Sequence, residues 1–245
     1  ILDWRYNRAD IYRRFVEQKL EIIQLKMQFY LMILNNHFQM KNKTLLIILL
    51  LFQFSFSQNV KLKTGDILFQ SMNCGPLCEA INEVTEGYQG KDFSHLGMVY
   101  IKNDSIFIVE AAGKAVKITS YETFKTYTNE PMYIGRLKKK YRKYIPEAIA
   151  FSLQQVGVPY DDEYLYNNGK YYCSELIYDA FLHSYKKPLF DLFPMTFKSP
   201  KSNDYFEVWA EYYKKLNMEI PEGQLGCNPG GISTSDKLRI IGTIK

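Results

Sequence analysis

A cysteine stands at the front of an amphipathic segment, in the stretch YYCSELIYDA at positions 171–180. Apolar residues follow it at helical spacing, which predicts a helix whose inward face includes Cys173. A thiol at a helix N-terminus lies against unpaired backbone N–H groups and the positive end of the helix dipole, and both favour the thiolate. The position is that of a nucleophile, but position alone does not exclude the alternative of a small buried apolar cysteine.

A histidine and a glutamate on two neighbouring predicted strands are candidate partners for this thiol. The strands HLGMVYI and SIFIVEAA are joined by a two-residue turn at 103–104. This register sets Glu110 opposite Gly97 and His95 opposite Ala112, so that His95 and Glu110 are diagonal neighbours on one face. The carboxylate is then expected to hold one imidazole nitrogen and leave the other for the thiol. Each residue alone has a structural alternative, but an unpaired carboxylate in the apolar context IFIVEAAG would be costly to bury.

The elements that position these residues form a series of strands with flanking helices. The apolar patterns and the turn residues predict an antiparallel sheet flanked by helices, an α+β arrangement. The predicted strands are GDILFQ, HLGMVYI, SIFIVEAA, AVKI and MYIGRLK, and the predicted helices begin near Pro76, Tyr121, Pro146, Cys173 and Asp204. A Gly/Pro-rich tail is expected after the last helix.

A leader segment sets the expected domain boundaries. The run MKNKTLLIILLLFQFSFSQ begins at Met40, and its apolar part is too short for a comfortable membrane span, so residues 40–57 are predicted to be a signal peptide cleaved near Ser57 and Gln58. Because the chain starts with Ile1, residues 1–39 are expected to lie upstream of the true start, with an extra helix as the alternative. Residues 58–245 then form a single domain in a secreted or periplasmic protein.

The charge of this domain argues against nucleic-acid binding. The whole chain has a net charge of +5, but residues 1–57 carry 8 of the 31 Lys and Arg and 4 of the 26 Asp and Glu, which leaves +1 for residues 58–245. The basic run at 138–143 is short and is typical of a solvated turn before a helix.

Export would permit disulfides among the cysteines of residues 58–245, which are Cys74, Cys78, Cys173 and Cys227. Cys74 and Cys78 fall about one helical turn apart, a spacing that disfavours a strain-free bridge. A bridge from Cys74 to Cys227 stays an open possibility. His95 and His183 are the only histidines of this part of the sequence, so no metal site is expected.

Several motifs together resemble a known family. GVPYD, followed thirteen residues after Tyr160 by the cysteine of YCSELI, resembles the G-x-P-Y and D-C-S-G-L signature of NlpC/P60 cysteine peptidases. The histidine strand precedes the cysteine here, as in the circularly permuted NlpC/P60 group, the YiiX/YebB-like cysteine hydrolases. The GD-I-x-F-Q, S-H-x-G-x-V and V-E-A motifs of that group are similar to GDILFQ, FSHLGMVY and IVEAAG.

This resemblance implies a permuted papain-like fold with Cys173 as nucleophile, His95 as base, Glu110 orienting the imidazole and Tyr160 supporting the oxyanion. It also implies acyl transfer through a thioester, without a metal or organic cofactor. The sequence has Glu175 in place of the family's glycine and a tyrosine in place of the aspartate before the cysteine. The cell-wall substrate of ordinary NlpC/P60 enzymes is therefore not carried over.

The substrate and even the class of activity have alternatives. A peptide, an N-acyl amide or a lipid-like small molecule would fit the chemistry as a substrate. Peripheral contact of the protein with a cell wall or a membrane is compatible with these substrates. A lipid-directed hydrolase or acyltransferase would use the apolar residues at 188–197 as an acyl pocket, although they also suit an ordinary core. A non-catalytic module would instead bind a glycan or peptide through the tyrosines of YDDEYLYNNGKYY, but the complete Cys, His and Glu set favours an enzyme.

Overall fold

The computed structural model describes residues 13–33, 35 and 60–245. The chain separates into two compact units, Ile1–Gln58 and Asn59–Lys245. In the first unit, residues 13–33 form a helix whose side chains are exposed. The predicted signal peptide at 40–57 lies outside the described residues. Within the described ranges, no helix combines the length and the apolar character needed to cross a bilayer.

A six-stranded antiparallel sheet forms the centre of the second unit. Its strands are β1 (Ile67–Gln70), β2 (His95–Lys102), β3 (Ser105–Ala112), β4 (Ala115–Ser120), β5 (Met132–Leu137) and β8 (Leu238–Ile244). They are arranged in the order β4-β3-β2-β1-β5-β8. Two further short strands, β6 (Phe193–Pro194) and β7 (Leu225–Gly226), pair with each other. The architecture is α+β, as the sequence pattern predicts.

The helices cover both faces of the sheet. They are α1 (Pro76–Val84), α2 (Tyr121–Lys125), α3 (Ile145–Gln154), α4 (Cys173–Tyr185), α5 (Glu207–Leu216) and α6 (Pro229–Ser233). On one face, Leu176 of α4 is fully buried in a cluster with Val109 and Ala111 of β3. On the other face, Phe124 of α2 is fully buried in a cluster with Leu68 and other residues of the central strands. Burial of these apolar side chains provides the main driving force that packs α4 on one face of the sheet and α2 on the other.

The β2–β3 hairpin has the register that the sequence predicts. Asn103 and Asp104 have φ values of 49° and 59°, the left-handed conformation of a two-residue turn whose twist matches that of the strands. Met98 lies opposite Val109, which confirms the predicted pairing. Gly97 is required in this hairpin because a Cβ atom there would clash with Ile108.

The C-terminal part departs from the expected Gly/Pro-rich tail. Strand β8 pairs with β5 and completes the sheet, and its N-terminal residue Leu238 is buried in the main core. The helix α6 starts at Pro229, and the Asn228 side chain caps it by accepting from the Gly231 N–H at 2.7 Å. The prediction of a tail was wrong because it followed the local Gly and Pro content, whereas the apolar residues of LRIIGTI form strand β8.

The disulfide pattern also corrects the prediction. Cys74 and Cys78 are bonded to each other, whereas Cys227 is a free, buried thiol. The bridge forms because Cys74 precedes the helix: Gly75 is the N-cap of α1 at φ 65°, and the two Cα atoms are 5.4 Å apart, within the usual range for a disulfide. Because Cys74 lies outside the helix, its distance from Cys78 is not determined by helical geometry.

Candidate active site

Cys173 is the first residue of α4, and its side chain is buried. The preceding residue, Tyr172, is the N-cap in extended conformation, and no side chain among the described residues caps this helix. The Tyr172 hydroxyl instead accepts from the Cys227 N–H at 3.1 Å. The N–H groups of the first turn are therefore left for a ligand beside the thiol, where the helix dipole favours negative charge.

His95 and Glu110 are in direct contact. The distance between His95 Nε2 and Glu110 Oε2 is 2.6 Å, and both side chains are buried. Because Nε2 is held by the carboxylate, Nδ1 is the imidazole nitrogen left for the thiol, and Cys173 is the hydrogen-bond partner that most strongly raises the pKa of His95. The structure thus brings Cys173, His95 and Glu110 to one place.

The protonation of this group follows from its surroundings. Burial lowers the pKa of His95, but the Cys173 and Glu110 side chains outweigh this effect and raise it to about 9. Burial alone would raise the pKa of Glu110, but the hydrogen bond and charge of His95 lower it below its usual value. Both directions favour a protonated imidazole beside an ionised Glu110.

Glu110 has further partners that the sequence analysis did not identify. Its Oε1 atom accepts from the Thr119 hydroxyl at 2.5 Å and from the Tyr127 hydroxyl at 3.2 Å, and Lys117 Nζ lies 3.8 Å away. Glu110 lies opposite Lys117 in the β3–β4 pairing, which makes Thr119 its diagonal neighbour. The register of β4 against β3 is therefore the sequence signal that predicts Thr119 as a partner of Glu110.

Gln70 is a second residue that the sequence analysis left without a role. It is the last residue of β1 and lies directly opposite His95, so the two side chains are on the same face of the sheet. Gln70 is fully buried, and neither of its amide atoms has a hydrogen-bond partner among the described residues. By contrast, Asp66 of the same GDILFQ motif is paired with Arg136, with two N–H···O distances of 2.7 Å.

Tyr160 lies beside Cys173, as the resemblance implies. Tyr160 forms an isolated parallel β-bridge with Tyr171, which lies two residues before the nucleophile. Tyr160 also lines the same cavity as Cys173. Burial raises the pKa of Tyr160, and the neighbouring Tyr164 and Cys173 add to this, so its hydroxyl keeps its proton and can serve as a donor.

Glu175, which stands where the resembled family has glycine, contacts the loop that follows Tyr160. Glu175 is fully buried on α4, and its Oε1 accepts from the Asn167 N–H at 2.8 Å. Burial is the main cause that raises the pKa of Glu175 to about 8. Asp161 stabilises the same loop by accepting from the Leu165 N–H at 2.7 Å. Glu175 therefore ties the helix of the nucleophile to the tyrosine-bearing loop, a contact that glycine would lack.

A cavity of about 140 Å³ opens beside Cys173. Its walls come from α1, from residues 193–197, from α5 and from residues 227–229. The side chains that line it include Ile81, Val84, Tyr160, Tyr164, Phe193, Met195, Phe197 and Trp209. Part of the apolar segment considered as an acyl pocket in the sequence therefore lines the site of the nucleophile.

Two comparisons with individual proteins support the fold. The chain is 27% identical over 147 residues to the uncharacterized protein YiiX of Escherichia coli strain K12, an alignment that covers 58% of this chain and 67% of that protein. The crystal structure of YiiX from Escherichia coli O157:H7 has a TM-score of 0.60 at 21% identity and covers 74% of this chain and 97% of its own. That structure is titled a metalloprotein, but in the part of the chain described here no three His, Cys, Asp or Glu side chains are grouped as a metal site requires.

The family comparison covers most of the second unit. Residues 61–242 match the model of a family described as permuted papain-like amidase enzymes, YaeF/YiiX, C92 family. The matched range includes every residue of the site and all six strands of the main sheet but the end of β8. The chain therefore belongs to this family of permuted papain-like amidases.

Proposed function

We propose that this protein is a cysteine hydrolase that cleaves an amide or ester bond through a thioester on Cys173. The observation that carries the proposal is that buried His95 contacts Glu110 at 2.6 Å and lies near enough to Cys173 for that side chain to help raise the pKa of His95 to about 9. The amidase description of the family supports the same reaction type.

The steps follow from the positions of the groups. The Cys173 thiolate attacks the carbonyl carbon, and the Cys173 N–H and the Tyr160 hydroxyl donate to the oxyanion. The C–N or C–O bond then breaks as His95 passes its proton to the leaving group, which leaves the acyl group on sulfur. Neutral His95 next removes a proton from water, the hydroxide oxygen bonds to the acyl carbon, and the C–S bond breaks to release the acid.

The reaction is tested with a panel of N-acyl anilides and aryl esters. We expect turnover by the wild type and a thioester on Cys173 that is detectable by intact mass after rapid acid quench. Cys173→Ala and His95→Ala should lose turnover by about a thousandfold or more, and Glu110→Gln by about tenfold or more. His183→Ala is the matched control, because His183 is a half-exposed residue later on the same helix. Equal turnover by wild type and Cys173→Ala would contradict the proposal.

The place of action is part of the proposal. The leader at 40–57 and the Cys74–Cys78 disulfide both support a site of action outside the cytoplasm, where disulfides persist.

A further inference from the structure

The cavity beside Cys173 lies on the acyl side of the bond that is cleaved, if the proposed function holds. Cys173 and Tyr160 line it, whereas His95 is absent from the described residues of its lining. The leaving group must be within reach of the imidazole to receive its proton. A group inside the cavity is therefore attached to the acyl carbon on sulfur and not to the departing nitrogen or oxygen.

The chemistry of the lining selects an apolar occupant. No charged side chain is among the described residues that line the cavity. Three hydroxyl groups on the lining already donate within the protein: Thr85 to the Ile81 carbonyl, Ser174 to the Cys227 carbonyl and Thr196 to Glu222. A charged group would lose its water there without gaining an oppositely charged partner, which is costly. The Trp209 indole N–H, which is buried and has no partner among the described residues, is left for a single acceptor atom.

The size of the cavity limits the occupant. A dry cavity of about 150 Å³ holds a molecule the size of benzene, so the volume of about 140 Å³ corresponds to roughly six carbon atoms. The wall at Trp209 and Phe197 consists of rings packed edge to face, with centroids 5.1 Å apart and both side chains buried. Such close packing resists the displacement that a longer chain would require.

We propose that this cavity is an acyl subsite and that the substrate class is an amide or ester of a compact, uncharged, apolar acyl group of roughly six carbon atoms. Long-chain acyl groups and charged peptide side chains are excluded from the subsite. Val84 and Ile81 line the cavity from α1, so the size of either side chain changes the space that is left for the acyl group.

A series of n-acyl chloromethyl ketones tests the subsite without a known substrate. The Cys173 sulfur displaces chloride from the methylene carbon, so a C–S bond forms, the C–Cl bond breaks, and the acyl chain keeps its place next to the carbonyl. We expect the second-order rate constant for Cys173 alkylation to rise about threefold per methylene until the acyl group has about six carbons. For an acyl group of about twelve carbons, we expect the rate constant to be lower than at this optimum. Each rate is divided by the rate with iodoacetamide, which has no chain.

Variants of the lining identify the cavity as the cause. Val84→Trp should shift the optimum to shorter chains, and Ile81→Ala should shift it to longer ones. Val156→Trp is the matched control, because Val156 is 44% exposed and outside the lining, and it should keep the wild-type profile. A flat profile, a rate that still rises at about twelve carbons, or an optimum unchanged in both lining variants would overturn the subsite. Failure of the proposed function is distinguishable, because it would show as iodoacetamide labelling of Cys173 that is independent of His95.

Discussion

At the residue scale, the position of His95 depends on a carboxylate that is itself held from three sides. Glu110 accepts from His95, Thr119 and Tyr127, and these bonds replace the water that it lost on burial. A carboxylate in such a setting stays ionised and fixes the imidazole in one orientation. Because Nε2 of His95 is held by Glu110, Nδ1 is the imidazole nitrogen that is left for the nucleophile.

Gln70 provides the first prediction. A buried amide without partners costs about 1–3 kcal/mol, and Gln70 lies next to His95 on the same face of the sheet, where a reacting group can supply a partner. We expect Gln70→Leu to keep or raise the melting temperature and to lower turnover by about tenfold, because the amide partners a group that forms during the reaction. Thermal unfolding and steady-state kinetics measure the two effects. A stable variant with full turnover would contradict this role.

At the element scale, α4 connects the nucleophile to the loop of Tyr160 through Glu175. The pKa of Glu175 is raised to about 8, so the folded state binds a proton that the unfolded chain releases above about pH 4.5. By linkage, its contribution to the free energy of unfolding is largest below pH 4.5, falls as the pH rises, and is lost above about pH 8.

Glu175→Gln tests this linkage. Glutamine has the shape and neutrality of the protonated side chain and retains an oxygen for the Asn167 N–H. We expect the variant to match the wild type in acid and to unfold at a higher temperature than the wild type above about pH 8. Thermal unfolding of both proteins across pH measures the difference. A constant difference at every pH would show that Glu175 does not titrate in the folded state.

At the scale of the whole molecule, the leader leads to a prediction about the exported species. We expect the protein recovered outside the cytoplasm to begin near Gln58, because the apolar run before it is typical of a signal peptide and the second unit begins at Asn59. N-terminal sequencing of that fraction measures the cleavage site. An uncleaved cytoplasmic product that begins at or before Met40 would contradict the prediction.

The sequence predicted most of the sheet and the meeting of His95 with Glu110, because a two-residue turn determines the register of a hairpin. It missed β8 and Gln70, which depend on pairings between strands far apart in the sequence. It also missed Thr119, although the two-residue turn at 113–114 determines the register of β4 against β3. The cavity lining comes from seven separate parts of the chain, of which the sequence predicts Cys173, Tyr160 and, as a pocket, the segment at 188–197. The sequence disfavours the Cys74–Cys78 bridge only if both cysteines are given helical spacing, whereas Cys74 lies before the helix that begins at Pro76.

The central claim is that His95 activates Cys173, and residue-resolved iodoacetamide labelling across pH measures it most directly. His95 is protonated below its pKa of about 9, so it stabilises the thiolate there and loses this effect as the pH rises through 9. At about pH 6 an ordinary thiol is almost wholly protonated, so we expect Cys173 to react at least about tenfold faster in the wild type than in His95→Ala. The difference should narrow above about pH 9, and His183→Ala should behave as the wild type. Labelling of Cys173 at the rate of a free model thiol, with no change in His95→Ala, would contradict the account.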